Sequence, residues 1–220
     1  MAVRIKTILG VSGSPRKDGN VDKLLQIALK EAARTQNIKT EIVYLRDYKI
    51  ENCNSCFACC TDAALDKEFP CLSFNDDMNL LYPKLAECDG LIIGSPVFFG
   101  SVTAQLKAFM DRTEGLLRYS KSKWKYSLSN KVGAGLAVGG NRNGGQEFTL
   151  QTIHYFYFVH NMIVVGTGPE LTPGCYLGAC GTTFPEKGKV REAILKDDLG
   201  LKSAKMIGRR VVEVIQLLGR

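Results

Sequence analysis

Cysteines are concentrated in one short part of this chain, which we call the cysteine stretch (residues 53–71). Five of the eight cysteines lie there: Cys53, Cys56, Cys59, Cys60 and Cys71. With no export signal ahead of them, clustered cysteines more often bind metal or carry out redox chemistry than form disulfides. The spacing C-x-x-C-x-x-C places thiolates around the irons of an iron–sulfur cluster. Structural zinc usually takes two separated C-x-x-C pairs, and no second pair follows.

The run Cys53, Cys56 and Cys59 together with Cys71 supplies four thiolates, which matches the four irons of a [4Fe–4S] cubane. Cys60 is an alternative to Cys59 as the third ligand. Reduced cysteines that only pack a loop are a further interpretation.

A second candidate site is the hydroxyl turn (residues 12–20), between an apolar strand pattern at 7–11 and a helical pattern at 21–29. A strand that turns into a helix N-terminus presents unpaired backbone N–H groups and a positive dipole end to an anion. The turn adds donors and charge at Ser12, Ser14, Arg16, Lys17 and Asn20. We therefore predict a phosphate site.

Neither common nucleotide-binding loop is present in the hydroxyl turn. It has no G-x-x-x-x-G-K-[ST] and no G-x-G-x-x-G. Hydroxyls without those glycines suit a terminal monophosphate, such as that of FMN. A polar turn that binds nothing is the alternative.

Two further loops follow apolar strand patterns. The aromatic turn (residues 96–101) is rigid and apolar, so a planar ring could lie against it while backbone N–H groups reach the ring's heteroatoms. The glycine loop (residues 139–145) consists mostly of glycine and asparagine, which allows its backbone to approach a ligand closely. A plain β–α loop and a flexible surface loop are the respective alternatives.

Strand and helix patterns alternate along the chain. We predict strands at 7–11, 40–45, 90–94, 131–138 and 162–165, and helices at 21–29, 76–86, 103–117, 146–160 and 202–218. This alternation predicts an α/β fold with an open parallel sheet and helices on both faces. Ligands of such sheets bind beyond the carboxyl ends of the strands, so we expect the cysteine stretch and the other three loops to converge there.

Composition and charge limit the partners. A net charge of +7 permits nucleic-acid binding, but the basic residues are scattered apart from Arg118, Lys121, Lys123 and Lys125, which suit a solvated loop. We expect no nucleic-acid partner. The longest uncharged run, 148–169, contains polar residues and ends in glycines and a proline, so we expect no membrane span. The first residues fit no signal peptide, which predicts a cytoplasmic protein.

Three motifs, in order, resemble the NADPH-dependent FMN reductases of the flavodoxin-like superfamily. They are Gly-Ser-Pro-Arg-Lys at 13–17 with Gly19-Asn20, Gly-Ser-Pro-Val-Phe-Phe-Gly at 94–100, and Gly-Gly-Asn-Arg-Asn-Gly-Gly-Gln-Glu at 139–147. With the cysteine stretch, the chain is most similar to the iron–sulfur flavoproteins of that group over residues 5–168. The resemblance implies a flavodoxin-like, five-stranded sheet of order 2-1-3-4-5. The FMN-binding domain would span 1–168 with a cysteine-rich insert at 50–75, and 169–220 would pack on that domain or on a partner subunit.

The resemblance also implies the cofactor contacts. The FMN phosphate would lie on the hydroxyl turn, and the isoalloxazine against the aromatic turn and the glycine loop. The cofactor-binding residues would be Ser12, Ser14, Pro15, Arg16, Lys17, Asn20, Val21, Pro96, Val97, Phe98, Phe99, Gly100, Ser101, Gly140, Asn141, Asn143 and Gly144. The cluster ligands would be Cys53, Cys56, Cys59 and Cys71. A homodimer or homotetramer is implied, in which the cluster hands electrons across an interface.

These expectations give an FMN-dependent oxidoreductase that passes electrons from NAD(P)H or ferredoxin through FMN and a [4Fe–4S] cluster to a small-molecule or protein acceptor. No side chain is expected to act as a catalytic acid or base, because the reactive atoms belong to the flavin. The alternatives are a cluster-free NAD(P)H-dependent FMN or quinone reductase, a non-enzymatic flavodoxin-like electron carrier, and a zinc-containing nucleic-acid-binding module.

Overall fold

A parallel sheet organises the protein. The computed structural model describes residues 4–168, 176–184 and 191–219. Within these ranges the sheet contains β1 (Lys6–Ser12), β2 (Ile38–Tyr44), β3 (Gly90–Pro96), β4 (Val132–Gly139), β5 (Ile163–Val165) and β6 (Ala179–Thr182). The order β2-β1-β3-β4-β5 is the one expected, and every pairing is parallel.

Two short strands share one edge of β4. β5 pairs with the first three residues of β4, whereas β6 pairs with the second half, from Leu136 to Gly139. The sequence patterns predicted β5 but not β6. Because β6 is parallel to β4, the chain leaves β6 at the same edge of the sheet as the glycine loop.

In the described residues, five α-helices cover the two faces of the sheet. They are α1 (Asn20–Ala32), α2 (Met78–Glu87), α3 (Ala104–Asp111), α4 (Gln146–Val159) and α5 (Asp198–Leu217). The strand period of two divides the core between the faces. On β3, Ile92 packs with α1 and α5, whereas Leu91 and Ile93 pack with α2, α3 and α4. None of these helices has the length and apolar character needed to span a bilayer in the described part of the chain.

The predicted helix at 103–117 is shorter in the structure. α3 ends at Asp111, and the chain tightens into a 3-10 turn at Arg112–Leu116. The Thr113 hydroxyl donates to the Met110 carbonyl at 2.6 Å. This side-chain bond competes with the backbone hydrogen bonds that would continue the α-helix. This tightening directs the buried Arg112 side chain toward the residues that flank the cysteine stretch.

α4 lies unusually close to β4. The Tyr157 ring packs against Gly133, where an added Cβ would stand 2.8 Å from ring atoms. The Tyr157 hydroxyl donates to the Ala134 carbonyl at 2.8 Å and accepts from the Ile93 amide at 3.2 Å. This contact fixes α4, whose first turn follows the glycine loop.

One of the chain's two histidines is buried against α3's end. His160 is 6% exposed, its ring lies 4.6 Å from that of Phe156, and its Nε2 lies 2.8 Å from Thr113 Oγ1. Its Nδ1 has no hydrogen-bond partner in the described part of the protein. Burial lowers the pKa of His160 to about 4.

We predict that His160 makes stability depend on pH. An unfolded histidine has a pKa of about 6.5, so between about pH 6.5 and 4 the unfolded chain binds a proton that the folded chain does not. The free energy of unfolding should therefore fall as the pH decreases, by about 2 kcal/mol between pH 7 and pH 5 from this residue. Urea unfolding of the flavin-free protein at both pH values measures the loss.

The matched variants are His160→Gln, which can keep the bond to Thr113, and His154→Gln. His160→Gln should remove most of the decrease in the free energy of unfolding that we attribute to His160 between pH 7 and pH 5. His154→Gln should retain that decrease. Equal pH dependence in the wild type and His160→Gln would contradict the prediction.

Candidate cofactor sites

The loops after β1, β3 and β4 meet around one cavity of about 470 Å³, which we call the loop cavity. This volume lies within the usual range for small-molecule sites. The lining residues come from the carboxyl edge of the sheet, where parallel α/β sheets bind ligands. They are Ser14, Pro15, Arg16, Asn20, Val21, Pro96, Val97, Phe98, Val138, Gly139, Gly140, Asn141, Thr183 and Phe184.

The hydroxyl turn brings the N-terminus of α1 to this cavity. The N-cap residue is Gly19, which has no side chain to cap the helix, and Asn20 and Val21 of the first turn line the cavity. The Ser14 hydroxyl accepts from the Arg16 amide at 3.2 Å, which closes the turn. Asn20 lines the cavity, and its Oδ1 accepts from the Ile194 amide at 3.0 Å. The geometry suits an anion.

Two predicted residues of the hydroxyl turn lie outside the cavity lining. Ser12 is fully buried, and its hydroxyl donates to Asp22 Oδ1 at 2.6 Å. Ser12 therefore supports the turn from behind instead of facing a ligand. Lys17 is exposed and does not line the cavity.

The aromatic turn is closed by backbone hydrogen bonds. Phe98 and Ser101 exchange two of them, at 2.9 and 3.0 Å, and the Val97 amide donates to the Val138 carbonyl at 2.9 Å. The backbone is left-handed at Phe99 (φ 50°) and Gly100 (φ 74°). Phe98 lines the cavity, whereas Phe99, Gly100 and Ser101 do not, and the Phe99 side chain is fully exposed.

Gln146 holds the glycine loop in place. Its Oε1 accepts from the Gly144 amide, and its Nε2 donates to the Asn141 carbonyl, both at 2.7 Å. Gly140 and Asn141 line the cavity, whereas Asn143 and Gly144 do not. Among the described residues, apart from its two chain neighbours, none has an atom within 4 Å of the place where a Cβ on Gly140 would stand, so a side chain there would extend beside the cavity.

Thr183 and Phe184 are lining residues that sequence reasoning missed. They follow β6, and the Thr183 amide donates to the Gly139 carbonyl at 3.0 Å. The Phe184 side chain is 63% exposed at the cavity wall. An aromatic residue after a strand is the only local signal for this wall, and the strand itself was not recognised.

The four predicted cluster cysteines line a second cavity of about 270 Å³, the cysteine cavity. Its lining residues are Cys53, Asn54, Ser55, Cys56, Phe57, Cys59, Cys71, Leu72, Phe74, Asp111, Arg112, Glu114 and Gly115, and Cys60 is not among them. Among the described residues, no three His, Cys, Asp or Glu side chains are close enough to hold one metal ion. A cubane takes one thiolate on each of four irons, so its ligands surround a volume and do not converge on one ion.

The cysteine thiols differ in their surroundings. Cys56 Sγ lies 2.9 Å from the Ser73 hydroxyl, and this hydrogen bond lowers the pKa of Cys56. Burial, together with the Cys60 thiol 3.8 Å away, raises the pKa of Cys59 to about 12. The backbone is left-handed at Ser55 and Phe57, between the first three lining cysteines. These turns allow the sulfurs to share one cavity.

Arg112 holds together the two ends of the segment that carries the cysteines. Its guanidinium donates to both carboxylate oxygens of Asp76, at 2.5 and 3.0 Å, and to the Glu51 carbonyl at 2.9 Å. The Glu51 amide donates to Asp76 Oδ2 at 2.8 Å. Burial opposes the ionisation of Asp76, but the bonds from Arg112 and Glu51 outweigh it and lower the pKa of Asp76. The ion pair therefore sets where the cysteine stretch begins and ends.

Three of the four loops line the loop cavity, whereas the cysteine stretch lines the cysteine cavity, and the two cavities share no lining residue. α3 lies between them and is about 12 Å long. Thr103, just before α3, donates to the Gly13 carbonyl in the hydroxyl turn at 2.8 Å. Asp111 and Arg112, at the other end, line the cysteine cavity.

Known proteins are similar to this chain in sequence. An iron–sulfur flavoprotein of Methanocaldococcus jannaschii is 40% identical over 211 residues, which cover 96% of this chain and 98% of that protein. An iron–sulfur flavoprotein of Methanosarcina thermophila is 43% identical over 159 residues, 72% of this chain and 76% of that protein.

The fold is also similar to solved structures. The structure of RosB with a bound 8-demethyl-8-formylriboflavin-5'-phosphate intermediate superposes with a TM-score of 0.70 at 18% identity, over 97% of this chain and 80% of that one. The family described as NADPH-dependent FMN reductase matches residues 7–170, which include the hydroxyl turn, the aromatic turn, the glycine loop and the cysteine stretch. On this match the chain belongs to the NADPH-dependent FMN reductase family.

Proposed function

We propose that the protein is an FMN-dependent oxidoreductase with a [4Fe–4S] cluster, which takes electrons from NAD(P)H or ferredoxin and delivers them to a small-molecule or protein acceptor. The observation that carries the proposal is the loop cavity, because the three loops with the family's motifs line it together. FMN, when bound, supplies the hydride and single-electron chemistry. The chain's own residues bind and orient it.

The phosphate end of the cofactor fits the hydroxyl turn. The uncapped N-terminus of α1 supplies N–H groups and a positive dipole end, and Arg16 adds a positive charge at the rim. The ring end fits the apolar wall formed by Val97 and Phe98. Gly140 and Asn141 line the same cavity, and in the proposed complex their backbone groups would meet polar atoms of the ring.

The donor set of the cysteine cavity fits an iron–sulfur cluster. Thiolate is the ligand that such clusters take, and the four thiols with the required spacing line one volume. Cys53, Cys56, Cys59 and Cys71 would hold the cluster, which serves as a one-electron relay when bound. The names of the curated relatives support the same conclusion.

We also propose that the working unit is a homodimer or homotetramer. Within one chain the cysteine cavity and the loop cavity are separated by the length of α3. An assembly can place the cysteine cavity of one copy beside the loop cavity of another. Light scattering of the purified protein tests this, and a monomer at micromolar concentration would contradict it.

The second candidate is a cluster-free NADPH-dependent FMN reductase, which the family description favours. An absorption spectrum of anaerobically purified protein, with iron and sulfide analysis, separates the two. Bleaching of the flavin by NAD(P)H distinguishes either enzyme from an electron carrier that reacts only with ferredoxin or dithionite.

We predict that a bulky side chain at Gly140 blocks FMN binding without unfolding the protein. A Cβ at this position meets no atom of the other described residues within 4 Å, apart from its chain neighbours, and Gly140 lines the loop cavity, so we expect the side chain of Gly140→Leu to occupy ligand volume. Since overpacking costs about 1–3 kcal/mol, the affinity for FMN should fall about 10- to 100-fold. Titration of the flavin-free protein by fluorescence quenching measures it.

Gly140→Ala is the matched control, because a single methyl group fills little of the space. Its affinity should stay within about threefold of the wild type, and thermal unfolding of both flavin-free variants should match the wild type. Unchanged FMN binding by Gly140→Leu would show that the cofactor binds elsewhere.

We predict different results for the two adjacent cysteines. Cys59→Ser should reduce the iron content from about four atoms per chain to less than one, because a lining thiolate is lost. Cys60→Ser removes a thiol that does not line the cavity and should retain the cluster. Iron and acid-labile sulfide assays under anaerobic conditions measure both. If Cys60→Ser loses iron and Cys59→Ser retains it, Cys60 is the cluster ligand instead of Cys59.

A further inference from the structure

A buried carboxylate lies behind the hydroxyl turn. Asp22 is in the first turn of α1 and is completely buried. It accepts the Ser12 hydroxyl at 2.6 Å and forms an ion pair with Arg46, whose Nη1 lies 2.9 Å from Asp22 Oδ2. An anion in this position opposes a phosphate at the same helix end, because like charges repel and the surroundings screen them poorly.

Arg46 reaches this carboxylate from another element. It belongs to the 3-10 turn Leu45–Asp47, directly after β2, and its side chain is 12% exposed. The guanidinium lies over the Tyr44 ring, 4.4 Å from its centroid. The side chain is therefore held in one place before any ligand binds.

The same guanidinium contacts the backbone of the hydroxyl turn. Arg46 Nη1 donates to the Ser14 carbonyl at 3.4 Å and to the Arg16 carbonyl at 3.3 Å. These carbonyls therefore point toward Arg46. A carbonyl oxygen turned toward a phosphate would repel it, so this orientation leaves the amide side of the turn available to an anion.

We propose that Arg46 is a positioning residue that gives this site its preference for phosphorylated flavin over riboflavin. It is not among the residues that line the loop cavity. It acts by cancelling the charge of Asp22 and by holding the Ser14 and Arg16 carbonyls away from the ligand. The inference rests on the proposed function, since it assumes that the loop cavity binds FMN.

The test compares two ligands that differ only in the phosphate. Affinities of the flavin-free protein for FMN and for riboflavin are measured by fluorescence quenching, and their ratio reports the phosphate site alone. For Arg46→Met we expect FMN affinity to fall at least about tenfold while riboflavin affinity changes less than about twofold. Arg46→Lys keeps the positive charge but lacks the planar guanidinium with its several donors. Its ratio of FMN affinity to riboflavin affinity should therefore lie between those of Arg46→Met and the wild type.

Arg34→Met is the matched control. Arg34 lies just beyond the C-terminal end of α1, is exposed, and pairs with Glu31 in the last turn of that helix. It carries the same charge as Arg46. Its removal should leave the ratio of affinities unchanged. An equal loss in Arg34→Met and Arg46→Met would mean that only the overall charge matters, which overturns the inference.

Asp22→Asn decides the matter if Arg46→Met does not fold. It removes the buried negative charge and keeps the side chain's shape, so FMN affinity should rise at least about twofold with riboflavin affinity unchanged. A fall in FMN affinity, or equal changes for both flavins, contradicts the inference.

The result separates this inference from the proposed function. If the wild type binds neither flavin, the proposed function fails. If the wild type prefers FMN and Arg46→Met keeps that preference, or loses both flavins equally, only the role of Arg46 is overturned.

Discussion

Buried arginine–aspartate pairs hold the loops on which both candidate sites depend. Loops lack the hydrogen-bond ladders of a sheet, so their buried backbone groups need other partners. In each pair the carboxylate is almost completely buried, and one member also binds the backbone of a loop. The pairs are Asp22–Arg46 at the hydroxyl turn, Asp76–Arg112 at the cysteine stretch, and Asp197–Arg142, whose carboxylate also accepts the Thr182 amide.

The role of these pairs is better explained by the positioning of loops than by a contribution to the stability of the folded protein. Desolvation of two charges offsets most of their attraction, and apolar residues of similar volume often replace buried pairs without loss. An apolar pair could not donate to the Glu51 carbonyl or the Ser14 carbonyl, so both would lose their arginine donor. In the Asp22–Arg46 and Asp76–Arg112 pairs both side chains are largely buried, so removal of one member should cost about 3–5 kcal/mol, because the other charge loses its partner. The Arg142 side chain is 47% exposed, so this figure does not apply to its pair with Asp197. The pairs therefore fix loop positions.

Local sequence patterns predicted the parallel sheet and the three loops around the loop cavity, because strand and helix periods repeat within a few residues. The strand order followed from the family resemblance. The local patterns did not predict β6, whose four residues include glycine and cysteine and show no alternation. They also missed Asp22, Arg46 and Arg112 as loop supports. Arg112 and Asp76 are 36 positions apart, and no local pattern marks such a pairing.

The two cavities differ in their electrostatic setting because they lie at opposite ends of helices. The loop cavity lies at the N-termini of α1 and α4, whose dipoles favour negative charge. The cysteine cavity lies at the C-terminal end of α3, where the dipole has the opposite sign, and acidic Asp111 and Glu114 line it. Its one lining arginine, Arg112, is already paired with Asp76. The sheet edge therefore suits a phosphate, whereas four thiolates in the cysteine cavity would need the positive charge of the proposed cluster to balance them.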